Sequence, residues 1–319
     1  MLAVLAACSS STDATSATGA GTSPVGTEPA PGTTAPTCAL PEAGPQTIDV
    51  AGTARTFDVY PPSAPAEAAS VPTLVLFHGF NSTKEEMVEI TGLDEQAPEA
   101  GVLLVVPQGM GAPAGWNALA GFDQDAAFID AVLAQVQAAS CVDPDDLWLA
   151  GFSAGSAFSA VYGCMRATQV TGLGLVSGLA PAICPPDDTP NVVITHGTAD
   201  PVVPFGGGEQ AVGETKVPLA SVSDSAASWA AKAGCAAEPT HEQVGTDVAV
   251  TQWPGCTGGS TVTLDVVDGG GHAWPGAVRP VAIGKTTQTL SSSCVLLAAI
   301  ADPALDPLPD CPGDGPAGG

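Results

Sequence analysis

One serine in the chain lies between small residues in a pattern that is typical of nucleophilic catalysis. Residues 151–155 read Gly-Phe-Ser-Ala-Gly, the G-x-S-x-G spacing in which a serine stands on a sharp turn between a strand and a helix. A chain with 38 glycines among 319 residues would contain this pattern about 0.3 times by chance, so its surroundings decide. An apolar run at 147–150 precedes the motif and a helical pattern at 154–165 follows it, so we predict that Ser153 is a nucleophile. The alternative is a glycine-rich turn with an incidental serine.

A serine hydroxyl needs a histidine base, and the base needs a carboxylate to hold its tautomer. Where the nucleophile stands on such a turn, the chain order is serine, acid, histidine, so the candidates are His196, His241 and His272. We predict His272 as the base, because it lies in the glycine-rich loop 269–276 directly after a strand pattern. His241 lies in a polar segment and is interpreted as a surface residue, and His196 is interpreted as a core histidine.

The acid is expected just after a strand that lies between the nucleophile and the base in the sequence. The apolar run 192–195 is followed by a turn that contains Asp200, and we predict Asp200 as the acid. Its alternative role is to start the turn, which is common for an aspartate before proline. Weaker candidates are Asp187, Asp188 and Asp224, which lie in a proline-rich loop or beside a helix.

Acyl transfer by a serine also requires two hydrogen-bond donors for the oxyanion that forms during attack. One candidate is the backbone N–H directly after the nucleophile, which belongs to Ala154. The second donor is expected in the loop after an early strand. Because His78-Gly79 follows the apolar run 73–77, we predict the N–H of Phe80 as the second donor.

Alternating strand and helix patterns must position these residues. Polar–apolar alternation on both sides of Ala51-Gly52 predicts an antiparallel hairpin of 47–50 with 55–60. Apolar runs that are typical of strands buried on both faces follow at 73–77, 102–106, 147–150, 173–176 and 192–195. Two further strands are predicted at 248–253 and 262–267, around the turn that contains Cys256. Helical patterns occupy 84–90, 126–139 after a possible N-cap Asp125, 154–165, 221–233 and 294–300. Together these patterns predict an α/β fold with a mostly parallel central sheet and crossover helices.

The two ends of the chain differ in composition from its centre. Residues 1–8 form an apolar run ending in Leu-Ala-Ala-Cys, which resembles the lipobox of bacterial lipoproteins and makes Cys8 the expected lipidation site. The alternative is an ordinary or truncated secretory signal, and either signal predicts export, to the outer face of the membrane or beyond. We predict that residues 9–37 are a disordered tether and that residues 38–300 are the catalytic domain. Residues 301–319 are expected to form a Pro- and Gly-rich tail with one cysteine, which could attach the tail to the domain through a disulfide.

Apart from Cys8, the chain has eight cysteines, and an even number in an exported protein indicates disulfides. We predict a bond between Cys235 and Cys256, which flank one polar excursion. A second candidate pair is Cys141 with Cys164, across a strand and the returning helix, and the remaining pairing stays open. No pair has C-x-x-C spacing and none has a histidine at ligand spacing, so we expect no metal site.

The formal net charge is -26, with only seven Lys and Arg residues. Nucleic acids and anionic lipid headgroups attract clusters of Lys and Arg, so the composition argues against both as partners. After the first residues, no uninterrupted apolar stretch is long enough to span a bilayer. We therefore expect membrane contact only through an N-terminal lipid anchor, and a monomer that needs no cofactor.

Several short strings together resemble the polyhydroxybutyrate depolymerase and feruloyl esterase family of secreted esterases. The strings are His78-Gly79, Trp116-Asn117, Asp143-Pro144, 151–155, 196–204 and 270–276, and the last two are the most specific. The resemblance covers 47–276. It implies an α/β-hydrolase fold with helices on both faces of the sheet and metal-free hydrolysis of carboxylic esters. The esters implied are hydroxycinnamoyl or acetyl groups on plant polysaccharide, or short-chain polyhydroxyalkanoate.

Two positions depart from the family pattern near the expected acyl pocket. Ser156 replaces a second glycine after the serine motif, and Ala273 replaces the threonine of the usual G-H-T-W string, which leaves acyl specificity open. We predict that His78, Trp116 and Trp274 line the substrate pocket, because a planar ring suits an aromatic acyl group or a polymer chain; core packing is the alternative. A serine peptidase with the same residues, or a non-catalytic lipoprotein that binds polysaccharide on this fold, are the alternative functions.

Overall fold

The structure is a computed structural model. It describes residues 38–62, 70–118, 122–178, 181–185, 189–212, 215–236, 238–279, 283–302, 311 and 313. The signal peptide and tether predicted for 1–37, with the lipidation site Cys8, lie outside these residues. The two rival acids Asp187 and Asp188 also lie outside them.

Strands and helices alternate along the described part of the chain. The strands are β1 (Gly44–Val50), β2 (Thr53–Tyr60), β3 (Val71–Phe77), β4 (Leu103–Pro107), β5 (Met110–Gly111), β6 (Ala114–Gly115), β7 (Val142–Phe152), β8 (Gly172–Val176), β9 (Asn191–Gly197), β10 (Gly208–Val212), β11 (Thr215–Leu219), β12 (Thr240–Val244), β13 (Val248–Trp253) and β14 (Val262–Val267). The α-helices are α1 (Lys84–Thr91), α2 (Leu93–Glu99), α3 (Phe122–Val136), α4 (Ala154–Met165), α5 (Val222–Lys232) and α6 (Ser292–Ala301).

Ten of these strands form one sheet in the order β1-β2-β4-β3-β7-β8-β9-β14-β13-β12. The pairings from β4 through β14 are parallel, and those toward both edges are antiparallel. The predicted mostly parallel sheet and the N-terminal hairpin are therefore confirmed. The parallel strands all end at the same edge of the sheet, so the loops that follow β3, β7, β8, β9 and β14 lie side by side.

Helices cover both faces of the sheet, as predicted. On one face α3, α4 and α5 bury Phe128, Phe158 and Trp229 against the strands. On the other face α1, α2 and α6 bury side chains that include Met87 and Leu296. Because the central strands are covered on both sides, they consist of continuous apolar runs, and these runs allowed the strands to be predicted from the sequence.

Several element boundaries differ from the sequence prediction. Helix α3 begins at Phe122, so Asp125 is not its N-cap. The Asp125 carboxylate is instead buried and lies 2.9 Å from the Arg55 guanidinium, so the side chain serves a tertiary ion pair. Helix α2 and strand β12 were not predicted, because one contains Pro98 and the other is almost entirely exposed and polar. Neither therefore has the apolar periodicity that a packed element shows.

Four disulfides join the eight cysteines: Cys38–Cys141, Cys164–Cys184, Cys235–Cys256 and Cys294–Cys311. The predicted bond between Cys235 and Cys256 is present, whereas the candidate pair Cys141–Cys164 is wrong. Strand β7 has 11 residues and α4 has 12. A strand rises about 3.3 Å and a helix about 1.5 Å per residue, so the helix returns only about half the length of the strand. The last bond ties the C-terminal tail to α6.

No helix in the described part of the chain is both long and apolar enough to cross a membrane.

Candidate active site

Ser153 stands on a strained turn between β7 and α4. Its backbone has φ 56° and ψ -114°, a conformation that residues other than glycine rarely adopt. A Cβ atom at Gly151 would lie 2.3 Å from the backbone of Gly155, and one at Gly155 would lie 2.3 Å from the Phe77 carbonyl oxygen. Both glycines of the motif are therefore needed for the strand and the helix to approach so closely. The predicted strand–turn–helix setting of Ser153 is confirmed.

Neighbouring strand ends fix the backbone of this turn. The Ser153 N–H donates to the Val176 carbonyl oxygen at the end of β8, over 3.0 Å. A Cβ atom at Gly178, just beyond β8, would lie 2.4 Å from the Ser153 carbonyl oxygen, and one at Gly79 would lie 3.5 Å from Ser153 Cβ. The turn thus has backbone on both sides, and the nucleophile candidate has little freedom to move.

The acid and base candidates are joined directly. His272 Nδ1 lies 2.8 Å from Asp200 Oδ2, and both side chains are buried. The other carboxylate oxygen, Oδ1, accepts the backbone N–H groups of Val202 and Val203 over 2.8 and 2.9 Å. An anionic Asp200 therefore requires the proton of His272 to be on Nδ1, which leaves Nε2 free to accept a proton.

The charge state of Asp200 suits this arrangement. Burial alone would raise the pKa of the Asp200 carboxyl group, but hydrogen bonds from His196, His272 and the Val203 backbone outweigh burial. The net result is a pKa below the ordinary range of an aspartate. Asp200 is therefore ionised at neutral pH.

Backbone contacts hold the acid loop, residues 197–203, against the histidine loop, residues 268–276. The Ala199 N–H donates to the Gly270 carbonyl oxygen over 2.8 Å, and the Thr198 N–H donates to that of Val267 over 2.9 Å. A Cβ atom at Gly197 would lie 2.2 Å from the Gly270 carbonyl oxygen. The two loops therefore pack backbone to backbone, and the Asp200–His272 pair is carried by one bonded unit.

The histidine loop also contacts the elements beside Ser153. The hydroxyl of Ser177, which follows β8 and has φ 47°, donates to the Ala273 carbonyl oxygen over 2.7 Å. The His272 ring lies 4.9 Å, centre to centre, from the ring of Phe152, the residue before Ser153. Among the described residues the Ser153 hydroxyl has no hydrogen-bond partner, and hydrogen bonds between nucleophile and base often form only when substrate binds.

One predicted oxyanion donor, the Ala154 N–H, follows Ser153 directly, and the other, the Phe80 N–H, follows Gly79, where a Cβ atom would lie 3.5 Å from Ser153 Cβ. Neither the Phe80 nor the Ala154 N–H has an acceptor among the residues that the structure describes. The Gly79 carbonyl oxygen lies 2.7 Å from Nδ1 of the buried His78 ring. In a trans peptide the C=O and the next N–H point in opposite directions, so this contact turns the Phe80 N–H away from His78.

The side chains of His78, Trp116 and Trp274, which were predicted to line the substrate pocket, are all buried, as the alternative of core packing expects. Nε2 of His78 accepts the Gly109 N–H over 2.9 Å, and burial lowers the pKa of His78. The Trp116 indole N–H donates to the His78 carbonyl oxygen over 3.0 Å, and that of Trp274 donates to Ser293 over 3.0 Å. These rings support the loops of the site from inside the core.

A second histidine lies beside the acid and was interpreted from the sequence only as a core residue. His196 Nε2 lies 2.8 Å from the Val203 carbonyl oxygen and 3.3 Å from Asp200 Oδ2, and its ring is fully buried. The position of this histidine at the end of a buried strand, four residues before the acid, was the available signal. By contrast, His241 is exposed on the edge strand β12, and Asp224 is exposed in the first turn of α5, so neither reaches the site.

Comparison with solved structures identifies the fold. The acetyl xylan esterase from Aspergillus awamori gives a TM-score of 0.56 at 14% sequence identity, covering 76% of this chain and 96% of that one. The complex of pOPH_S172A with pNPB gives a TM-score of 0.52 at 14% identity, covering 87% of this chain and 91% of that one. At such identities the likeness concerns the fold alone, and the fold is that of the α/β-hydrolases.

Sequence relatives then define the family. No family profile matches the chain. A protein named esterase NocK from Nocardia uniformis subsp. tsuyamanensis is 30% identical over 321 residues, which is 87% of this chain and 92% of NocK. A protein named feruloyl esterase C from Aspergillus oryzae is 32% identical over 204 residues, 61% of this chain and 66% of that protein. The chain belongs to this esterase family and is a carboxylic ester hydrolase.

Proposed function

We propose that the chain hydrolyses esters by a two-step acyl transfer with Ser153 as nucleophile, His272 as base and Asp200 as the acid that orients it. Ser153 Oγ attacks the ester carbonyl carbon while Nε2 of His272 takes the hydroxyl proton. The oxyanion accepts hydrogen bonds from the N–H groups of Phe80 and Ala154. His272 then gives its proton to the leaving alcohol, and water, deprotonated by the same ring, hydrolyses the acyl-enzyme.

The observation that carries this proposal is the buried hydrogen bond of 2.8 Å between Asp200 and His272. It is supported by the backbone strain at Ser153, because strained non-glycine residues concentrate at functional sites. It is also supported by the contacts of the histidine loop with Ser177 and Phe152, because Phe152 directly precedes Ser153 and its ring lies beside that of His272.

We propose feruloyl or acetyl groups on polysaccharide as the ester class. Two features of the described residues support this choice. The Phe80 ring is 64% exposed next to the proposed oxyanion donor, where it could stack on an aromatic acyl group. A small depression on the Gly178 side is lined mostly by apolar side chains, among them Val203, Pro204 and Leu219. Short-chain polyhydroxyalkanoate is the competing substrate.

Hydrolysis rates with nitrophenyl acetate, methyl ferulate and a hydroxybutyrate oligomer would test the function. We expect Ser153→Ala to lower the rate at least about a thousandfold on every ester that the wild type cleaves. The matched control is Ser159→Ala, which removes a buried hydroxyl of α4 that bonds only the Gly155 carbonyl oxygen within the helix. It should retain activity.

The outcomes separate the alternatives. Equal rates for the wild type and Ser153→Ala would show that another residue is the nucleophile. Cleavage of a peptide anilide in preference to all three esters would favour a peptidase. Binding of polysaccharide without any hydrolysis would favour a non-catalytic role, and a preference for the hydroxybutyrate oligomer would favour the polyester substrate.

Export and lipidation are further parts of the proposal. Four disulfides support an oxidising compartment, because such bonds are rare in the cytosol. We expect the wild type, expressed in a bacterium that processes lipoproteins, to enter the detergent phase of a Triton X-114 partition. A Cys8→Ser variant should stay in the aqueous phase. If both proteins stay in the aqueous phase, the prediction of a lipid anchor at Cys8 is wrong.

A further inference from the structure

His196 is a buried histidine that the proposed acyl transfer does not use. It is the second-to-last residue of β9, just before the acid loop, and it has no exposed surface. A polar ring is costly to bury in the core of a domain unless its N–H groups find acceptors. Its contacts therefore indicate what it does.

The contacts of the His196 ring are directed at the acid. Nε2 lies 2.8 Å from the Val203 carbonyl oxygen and 3.3 Å from Asp200 Oδ2. Both partners are acceptors, so the ring carries its proton on Nε2. Nδ1 is buried and has no partner among the described residues, so a doubly protonated ring would leave an N–H without an acceptor.

The two contacts act on different parts of the acid loop. The bond to Val203 closes the loop, because it links the end of β9 to the residue whose N–H donates to Asp200 Oδ1. The contact with Oδ2 reaches the same oxygen that accepts His272 Nδ1. Donors therefore surround both carboxylate oxygens and hold the carboxylate in the orientation that faces the base.

We propose that His196 is a positioning residue that holds the Asp200 carboxylate toward His272 and limits how strongly that carboxylate attracts the His272 proton. The inference rests on the proposed function, since it requires Asp200 and His272 to act on Ser153. It goes beyond that function because it assigns a role in the reaction to a residue outside the three catalytic groups.

Other charged groups around the pair are few and mostly exposed. His196 also faces the Phe205 ring at 6.2 Å, which carries no charge. The ionisable residues on the neighbouring elements are the exposed Asp224 and the half-buried Lys232 on α5, whose ammonium group donates to the Cys184 carbonyl oxygen, the exposed Asp268 at the end of β14 and Lys285 beside Gly271, and Asp265 on the opposite face of the sheet. A change in pH dependence caused by a substitution at His196 can therefore be attributed to the Asp200–His272 pair.

The test compares His196→Phe, which removes the N–H donor but keeps an aromatic ring, with the wild type. We expect kcat to fall about ten- to a hundredfold with little change in KM, because substrate does not contact His196. Without the donor, Oδ2 attracts the His272 proton more strongly. The acidic limb of the kcat/KM profile should therefore move to higher pH.

Two further variants separate positioning from packing. His196→Gln, whose amide N–H can reach the place of Nε2, should retain most of kcat, whereas His196→Asn, whose amide is too short, should not. Phe205→Leu alters packing against the ring without touching its N–H and should lower thermal stability only. The glutamine and asparagine variants also provide the comparison if His196→Phe does not fold.

The inference is overturned if folded His196→Phe has the kcat and acidic limb of the wild type, or if the glutamine and asparagine variants behave alike. Ser153→Ala in the same assays distinguishes failure of the inference from failure of the proposed function. If Ser153→Ala is inactive but His196→Phe is unchanged, only the role of His196 is wrong. If Ser153→Ala is as active as the wild type, the proposed mechanism itself is wrong.

Discussion

At the scale of single residues, the Asp200 carboxylate has more partners than any other group of the candidate site. Two backbone N–H groups bind one oxygen, and His272 and His196 approach the other. Charge-assisted hydrogen bonds of this kind are stronger than those between neutral groups. The orientation of His272 should therefore depend on the negative charge of Asp200 as well as on its shape.

Asp200→Asn tests this dependence, because the substitution keeps the shape of the side chain and removes its charge. We expect kcat to fall on the order of 10³- to 10⁴-fold at neutral pH, since a neutral amide no longer selects the Nδ1–H tautomer of His272. Steady-state kinetics with nitrophenyl acetate would measure the loss, and circular dichroism would verify the fold.

Asp268→Asn is the matched control for this substitution. Asp268 is an exposed carboxylate at the end of β14 that accepts the Thr198 hydroxyl over 3.2 Å. It should retain wild-type activity. If Asp200→Asn and Asp268→Asn lose activity equally, the loss reflects the loop rather than the charge on the acid.

The residues of the site were predictable from the sequence to different degrees. Chain order and the position of each candidate after a strand pointed to Ser153, Asp200 and His272. The partners of these residues were not predictable, because burial and ring orientation depend on how neighbouring strands align. His196 and Trp274 illustrate the difference. His196 was interpreted as a core residue but contacts Asp200, whereas Trp274 was expected in the substrate pocket but is enclosed in the core.

At the scale of elements, the geometry of the serine turn depends on how closely α4 approaches the sheet. Gly155 lies in the first turn of α4, where a Cβ atom would come within 2.3 Å of the Phe77 carbonyl oxygen and 2.6 Å of that of His78. These atoms are backbone of β3 and the loop after it, so they cannot move aside as a flexible side chain would.

We therefore expect Gly155→Ala to lower the free energy of unfolding by about 3 kcal/mol and to reduce activity, because the helix must shift away from β3. Urea denaturation followed by tryptophan fluorescence would measure the loss. Gly206→Ala is the control, since no atom lies within 4 Å of a Cβ atom there and the backbone is not left-handed. A Gly155→Ala protein as stable as Gly206→Ala would contradict the close approach.

Elements with a regular apolar pattern were predicted well. Helix α4 and strands β13 and β14 have the predicted bounds, since each has a regular or continuous pattern of apolar residues. Helix α3 begins earlier than predicted because its aspartate pairs with Arg55 instead of capping the helix. The exposed strand β12 carries polar residues on both sides, so its pairing with β13 could not be inferred from its own sequence.

At the scale of the whole molecule, one charge inside the domain opposes its stability. Asp265 on β14 is fully buried, and its Oδ2 accepts the Thr195 hydroxyl over 3.2 Å. Its Oδ1 has no partner among the described residues. Burial raises the pKa of Asp265 to about 7, far above the value it has in an unfolded chain.

The sign of the effect on stability follows from proton binding. Between about pH 4 and about pH 7 the folded state keeps a proton on Asp265 that the unfolded state releases. The free energy of unfolding therefore decreases as the pH rises from about 4 to about 7. Above about pH 7, Asp265 contributes no further change. The linked free energy is on the order of a few kcal/mol.

Asp265→Asn should remove this dependence. We expect the variant and the wild type to differ little near pH 4 and the variant to gain in relative stability up to about pH 7, because an amide cannot ionise. Urea denaturation of both proteins from pH 4 to pH 8 would measure the difference. Parallel stability curves over this range would show that Asp265 does not titrate in the core.

The backbone contact between the acid and histidine loops has a consequence for experiments that search for functional residues by random mutation. A Cβ atom at Gly197 or Gly271 would lie within 2.4 Å of a backbone oxygen, and one at Gly270 would lie within 2.9 Å of the Val267 side chain, so no larger residue fits at these positions without a shift. Selection for activity should therefore reject substitutions at these glycines as strictly as at Asp200 and His272. A map of which substitutions each position tolerates would therefore mark these glycines as essential, although they have no role in the proposed chemistry. Measuring the amount of folded protein for each variant would separate the glycines, which are needed for folding, from Asp200 and His272, which are needed for activity.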